Sequence, residues 1–319
     1  LVDRQRTPSD TYPAAHQPAI LTPGMDPSDR ITQVFFDVQR GLPRQGPGDD
    51  ASTLRALAMC TELPPEPQVL DVGCGPGMQT IALARALDGH IYAGDLYQEF
   101  LDQLVESAES AGVRDQIGQL RLDMADLPFG RDSFDLIWSE GAAYILGFGE
   151  AFARWMHPLR PGGYMAVTEL VWLTDDPPVE ATEFFANEYP AMTDVPASLA
   201  TIEEHGYDVI GHFTLPDGSW WDHYYTPLEA KLPALREKYA GDEEAMVVVE
   251  ATAQEIEVRR RFGDSYGYEF FVARAGDPEM PLPRSTAPTT DEAAPTSERP
   301  ESTSSEAPPA SRFPPPMDE

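Results

Sequence analysis

"VLDVGCGPGMQT", residues 69–80, is an apolar run that reaches Asp71 and then turns through glycines at 73, 75 and 77 into a helical period. Glycine turns between a strand and a helix bind nucleotides, so the spacing decides which nucleotide. The dinucleotide fingerprint G-x-G-x-x-G requires a small residue at position 78, where this chain has Met78. The spacing here is G-x-G-x-G. A turn that departs from the fingerprint suggests a cofactor with no pyrophosphate to seat on the helix N-terminus. It argues against a nicotinamide oxidoreductase.

On both sides of this turn, strand and helix periods alternate. "QVLDV" (68–72) precedes the helical "MQTIALARAL", followed by strand "HIYAGDL" (90–96) and the amphipathic "YQEFLDQLVESAESAG". "IGQLRLDM" and "FDLIWSE" read as two more strands. A helix "GEAFARWMHPL" is predicted to stop at Pro161-Gly162-Gly163, ahead of strand "YMAVTEL". Two later strands, 207–215 and 266–274, flank a helical insert at about 227–261. This order predicts a doubly wound, mostly parallel sheet with ligands at the carboxyl edge of its strands. An aromatic-rich insert leaves that edge and is expected to form a lid over about 172–206, although an irregular packing segment fits the same residues.

Composition bounds the answer. The chain has 319 residues, 41% apolar and 10% aromatic, enough for a sizeable core. Two cysteines, Cys60 and Cys74, are too few for a disulfide framework and suit a reducing cytoplasm. No run of 18 apolar residues occurs, and no secretory leader is read at residues 1–18. The expectation is a cytoplasmic protein. A net charge of −32 disfavours nucleic acid and anionic membranes as partners, since the basic stretches are as short as "VRRRF" (258–262). Only two lysines occur, which fits either a GC-rich coding bias or a high-salt cytoplasm. From 276 to 319 the composition turns to Pro, Ser, Thr and Glu, and this tail is expected to be disordered. Residues 1–29 are expected to be a flexible arm, leaving 30–275 as the folded domain.

With the strands placed, "VLDVGCGPG", Asp95 closing the second strand, "LDMADLPF" (122–129), "FDLIWSEGAAY" and "LRPGGYMAV" together resemble the class I S-adenosylmethionine-dependent methyltransferases. "RQGPG" (44–48) and "WWDHYY" (220–225) are similar to a group of small bacterial members. The resemblance implies a Rossmann-like doubly wound sheet of seven mostly parallel strands with an antiparallel last strand and helical insertions. It also implies S-adenosylmethionine as the cofactor. Candidate cofactor residues are Arg44, Asp71, Gly73, Gly75, Gly77, Asp95, Leu96, Asp123, Met124 and Ser139. Gly73 and Gly75 allow close backbone approach. Asp95 is placed for the ribose hydroxyls, and Asp123 and Met124 for the adenine edge and face. Arg44 suits the cofactor carboxylate through its guanidinium fork, although a solvated turn fits it as well. Asp123 also reads as a solvated strand end.

Nucleobase amino-methylating enzymes carry (D/N)-P-P-(Y/F) after the fourth strand, whereas this chain has Ser139-Glu140-Gly141-Ala142. A small-molecule acceptor is therefore expected. Glu140 and His223 are the candidate general bases, predicted to converge on one pocket beneath the lid. Trp172, Trp220, Trp221 and Tyr224 are its candidate walls. The aromatic run also fits a core edge beside a turn, and His223 a structural or exposed histidine. No metal site is expected, and a homodimer is the candidate assembly. The alternative reading is a non-catalytic S-adenosylmethionine-binding sensor or partner subunit.

Overall fold

A computed structural model describes residues 29–276. The expected arm (1–29, except Asp29) and the expected tail (276–319, except Gly276) lie outside the described residues. In chain order the elements are α1 (Arg30–Gln39), α2 (Asp50–Leu57), β1 (Gln68–Val72), α3 (Met78–Ala86), β2 (His90–Asp95), α4 (Gln98–Ala111), β3 (Ile117–Arg121) and β4 (Phe134–Ser139). Then come α5 (Ala143–Leu146), α6 (Phe148–Trp155), β5 (Leu159–Trp172), α7 (Val179–Glu188), β6 (Thr193–Asp194), α8 (Val195–Glu204) and β7 (Tyr207–Thr214). A short α9 (Gly218–Trp220) runs through a π-helical turn (Trp221–Tyr225) into α10 (Thr226–Lys238), followed by α11 (Glu243–Phe262) and β8 (Tyr266–Ala275).

The strands are ordered β3-β2-β1-β4-β5-β8-β7, with the two-residue β6 beside β5. The sheet is parallel from β3 to β5, and β8 runs antiparallel to both of its neighbours. This is the expected seven-stranded sheet with an antiparallel last strand, to which β6 is a small addition. The chain winds outward from β1 to β3 and then returns to β4. The carboxyl ends of β1 and β4 therefore form the crevice where such sheets bind ligands.

Side chains alternate between two buried layers because strand period is two. Val69, Ile91, Leu136 and Trp138 face α3 and α4, while Leu70, Val72, Ile137 and Met165 face α6 and α8. A third apolar cluster, built by α1, α7, α9, α10 and α11, also takes in Leu170 of β5 and Tyr266 of β8.

Two expectations are corrected. Pro161-Gly162-Gly163 does not stop the helix: α6 ends at Trp155, three residues before Pro158, and the triplet lies inside β5 at an irregular register with β4. Proline disfavours helical geometry in the residue before it, so the stop belongs to Pro158. The 172–206 insert is not one covering piece. Its first part, α7, flanks a cavity described below, whereas α8 packs onto the sheet through fully buried Ser198 and Ile202.

Candidate active site

All three glycines of the opening turn have backbone φ in the left-handed region, between 53° and 85°. A side chain would be strained there. Space is equally restrictive, since a Cβ on Gly73 would lie 2.5 Å from that of Ala142, and one on Gly77 would collide with Leu104. Behind the turn, the fully buried Asp71 accepts hydrogen bonds from Thr80 Oγ1 (2.6 Å) and Gln79 Nε2 (3.3 Å). Burial pushes its carboxyl up to about 7. Gln79 also donates to Cys74 O at 2.9 Å, so Asp71 and Gln79 clamp the turn onto the first turn of α3.

In front of the turn lies a cavity with an empty volume of about 1100 Å³. Asp95 stands on its rim, accepting from Gly75 N and Tyr97 N, both at 2.9 Å. Burial raises the Asp95 pKa, and these two N–H groups oppose that rise. Across the cavity Asp123 accepts from Ala125 N at 2.8 Å. Trp155 Nε1 donates to Met124 O at 3.0 Å, fixing the following segment to the core.

The cavity floor holds a buried ion pair. Arg44 Nη2 donates to Glu140 Oε2 at 2.5 Å, with side-chain exposures of 4% and 0%. Thr53 Oγ1 (2.7 Å) and Trp138 Nε1 (2.9 Å) donate to Glu140 Oε1. Each Glu140 oxygen is thus engaged, which is how a buried carboxylate is tolerated. Arg44 is less satisfied: Nε reaches Gly46 O at 3.4 Å, and Nη1 is buried without a partner. A Cβ on Gly48 would strike this guanidinium, so the glycine of "RQGPG" leaves room for it.

A second cavity, of about 950 Å³, shares Gln45, Gly46, Gly141 and Tyr144 with the first. More than half of its lining residues are aromatic, drawn from α1, α5, α7, α9, the π-helical turn and β8. Two carboxylates line it. Glu255 accepts from Tyr225 OH at 2.8 Å, and burial, aided by the negative charge of Glu188, pushes it up to about 7. Beyond the lining, Tyr189 OH donates at 2.6 Å to Glu169, a β5 residue pushed up to about 8 by burial.

Residues 69–163 match the methyltransferase-domain family. This stretch of the chain carries a methyltransferase domain. It is 28% identical over 148 residues to the methyltransferase GfsG of Streptomyces halstedii, covering 45% of this chain and 53% of that protein. It is 26% identical over 205 residues to the O-methyltransferase rstn1 of Aspergillus nomiae, covering 60% and 91%. The chain thus spans about half the length of the first of these relatives and most of the second. Among solved structures, a SAM-dependent methyltransferase from Geobacter sulfurreducens in complex with S-adenosyl-L-homocysteine superposes with a TM-score of 0.65. That pair is 23% identical and covers 76% of this chain and 97% of the other, a likeness of fold.

The first cavity brings together Arg44, which precedes the matched residues, with Gly73, Gly75, Asp95, Leu96, Asp123 and Met124 inside them. Three expected cofactor residues do not line it. Asp71 sits behind the turn, Gly77 packs on Leu104, and Ser139 Oγ donates to Val72 O at 2.9 Å, tying β4 to β1. Glu140 lines the first cavity, but its carboxylate is locked to Arg44, Thr53 and Trp138. His223, on the π-helical turn, lines neither cavity, so the structure does not bring it together with Glu140. Glu140 directly follows β4, whereas His223 lies on a helix. The helix that starts at Gly218 turns one side of "WWDHYY" inward and carries His223 away.

Of the expected aromatic walls, Trp220 and Tyr224 line the second cavity. Trp172 packs on Phe185 and Tyr266, and Trp221 on Tyr225 beneath Arg260, and neither lines it. Gln45, Tyr97 and Phe100 of the first cavity, and Gln39, Tyr144, Glu188 and Glu255 of the second, were missed. The amphipathic run at 97–112 held a signal for Tyr97 and Phe100. Gln39 and Glu255 lie in α1 and α11 with no motif around them. Among the described residues there is no metal-ligating cluster of His, Cys, Asp and Glu. Nor is any described helix long and apolar enough to cross a membrane.

Proposed function

We propose that the protein transfers a methyl group from S-adenosylmethionine, held in the first cavity, to a small molecule held in the second. The observation that carries this reading is the shared wall of Gln45, Gly46, Gly141 and Tyr144, which puts two differently built cavities side by side at the carboxyl edge of the sheet. The residues of the first cavity fit the cofactor. Gly73 and Gly75 keep a cradle free of Cβ atoms, and the unpartnered Arg44 Nη1 is a buried donor suited to a carboxylate. Asp95, pinned by Gly75 N and Tyr97 N, retains acceptor capacity for two hydroxyls. Met124 and Asp123 are held at the opposite wall for the adenine.

When bound, S-adenosylmethionine supplies an electrophilic methyl carbon on a sulfonium. The chain's contribution is to position and to exclude water, the main means of accelerating an in-line displacement. Glu140 serves in this reading as a positioning residue that orients Arg44. Aromatic residues of α7, Phe184 and Phe185, close one side of the acceptor cavity. The test is calorimetry with S-adenosylmethionine and S-adenosylhomocysteine, followed by tritiated-methyl transfer to a small-molecule panel. Micromolar binding together with label transfer supports the reading. Binding with no transfer to any acceptor favours a sensor, and no binding of either ligand rejects both.

A further inference from the structure

The second cavity is unusual in the charges it presents. Among the described residues no lysine, arginine or histidine lines it, whereas Glu188 and Glu255 both do. Gln39 is 5% exposed, hydrogen-bonds the Tyr224 hydroxyl, and leaves Oε1 buried without a partner. The lining thus carries carboxylates and no cationic side chain, and its unmet buried polar atoms include the donors Trp220 Nε1 and Gln45 Nε2 alongside the acceptor Gln39 Oε1. Its buried, unmet acceptor asks for an N–H or O–H from a ligand.

Aromatic faces give the second indication. A cation over such faces gains about 0.5–2 kcal/mol from the ring quadrupoles. Arg259 already lies over Trp220 and Tyr266, at 3.9 and 5.4 Å, and is ion-paired to Asp217. Tyr144, Tyr189, Tyr224 and Tyr268 have no arginine or lysine recorded over their rings among the described residues. Arg259 shows that Trp220 and Tyr266, two of the lining rings, take a cation.

We infer that the second cavity takes a small amine as the methyl acceptor, with Glu255 receiving the proton that the ammonium must lose. The inference rests on the methyl-transfer reading above. It also distinguishes amines from hydroxyl acceptors. Deprotonating a hydroxyl would move its proton to Glu255 and leave an oxyanion near Glu188, with no cationic side chain among the lining residues to hold it. Deprotonating an ammonium leaves a neutral amine, which costs no such repulsion. The ammonium gives its proton to the Glu255 carboxylate. The nitrogen lone pair then forms a C–N bond with the methyl carbon while the S–C bond breaks and its electron pair stays on sulfur. Glu255 afterwards releases its proton to solvent, so one proton is produced per methyl transferred.

The Glu255 carboxyl, pushed up to about 7, is matched to such a proton acceptor. The groups facing it are Glu188 of α7, Tyr225 and Tyr224 of the π-helical turn, Tyr144 of α5, and Tyr266 and Tyr268 of β8. All of these tyrosines are held well above their ordinary range by burial, and so stay neutral.

The test is a pair of probes that differ only in charge. Choline and its neutral isostere 3,3-dimethylbutan-1-ol are titrated calorimetrically into the protein saturated with S-adenosylhomocysteine. Choline should bind about tenfold more tightly than the alcohol, and Glu255→Gln should erase the difference while leaving S-adenosylhomocysteine affinity unchanged. Retained S-adenosylhomocysteine binding shows that the variant has folded. In the label-transfer panel, amines should be methylated and carboxylates and phenols should not. Equal binding of the two probes, binding of neither, or label confined to oxygen acceptors overturns the amine inference and leaves methyl transfer standing. Failure of wild-type protein to bind S-adenosylhomocysteine overturns the methyl-transfer reading itself.

Discussion

The two cavities are adjacent but assembled in opposite ways. The first is made mostly of strand ends and the turns that follow them, so apart from Arg44, Gln45 and Gly46 its lining residues fall in short, ordered motifs between residues 73 and 146. The second is made of helix faces collected from Phe35 of α1 through Tyr268 of β8, and no two of its acids are near in sequence. A backbone cradle is imposed by conformation and is legible as glycine spacing. A side-chain box is imposed by packing and leaves only a scatter of aromatic residues. Within one fold, the two kinds of cavity are written differently in the sequence.

The sharpest way to break this comparison is Arg44→Ala. Removing the guanidinium leaves Glu140 buried and uncompensated, and the expected loss of stability is about 3–5 kcal/mol in urea unfolding. A loss below about 1 kcal/mol, the scale of an exposed pair, would mean that the first cavity is not rigidly built. Next is Asp95→Ala, which should weaken S-adenosylmethionine binding by about 1–3 kcal/mol through lost hydrogen bonds to buried hydroxyls. Calorimetry checks it, and unchanged affinity would remove Asp95 from the cofactor site.

Glu169 supplies a pH test of the second region. Its pKa in the folded protein is raised to about 8 from an ordinary 4.5, so the native state holds a proton that the unfolded chain releases between those values. Stability should therefore fall as pH rises through that window, by up to about 1.4 kcal/mol per pH unit from this group. Glu169→Gln should flatten that slope in unfolding midpoints measured from pH 5 to 8. The smallest effect is expected at His223→Ala, on the π-helical turn and lining neither cavity. Stability should change by less than about 0.5 kcal/mol and turnover by less than about twofold. A drop of about a hundredfold in turnover would restore it as a general base.

Much of the framework is legible in the sequence. The alternation from Gln68 to Leu170 carried the parallel sheet, and the spacing of Asp71, Gly73 and Asp95 located the first cavity. What the pattern could not separate was lining from support. Asp71, Gly77 and Ser139 share the motifs with Gly73 and Asp95, yet Asp71 turns back to Thr80, Gly77 packs on Leu104 and Ser139 ties to Val72 O. "WWDHYY" shows the same difficulty in a helix. Trp220 and Tyr224, four apart, share the inward face, while Trp221 and His223 fall on another. Glu255 was invisible because its partner Tyr225 lies 30 residues away and its neighbour Glu188 lies in α7.

The wall formed by Gln45 and Gly46 has a thermodynamic consequence. These residues follow Arg44 directly and touch both cavities, and the Gln45 amide has buried nitrogen and oxygen atoms without partners. A ligand on either side that satisfies this amide or shifts its rotamer alters the surface seen from the other side. Linkage then requires one coupling factor, the same in both directions, so that whatever the cofactor does to acceptor affinity the acceptor must do to cofactor affinity.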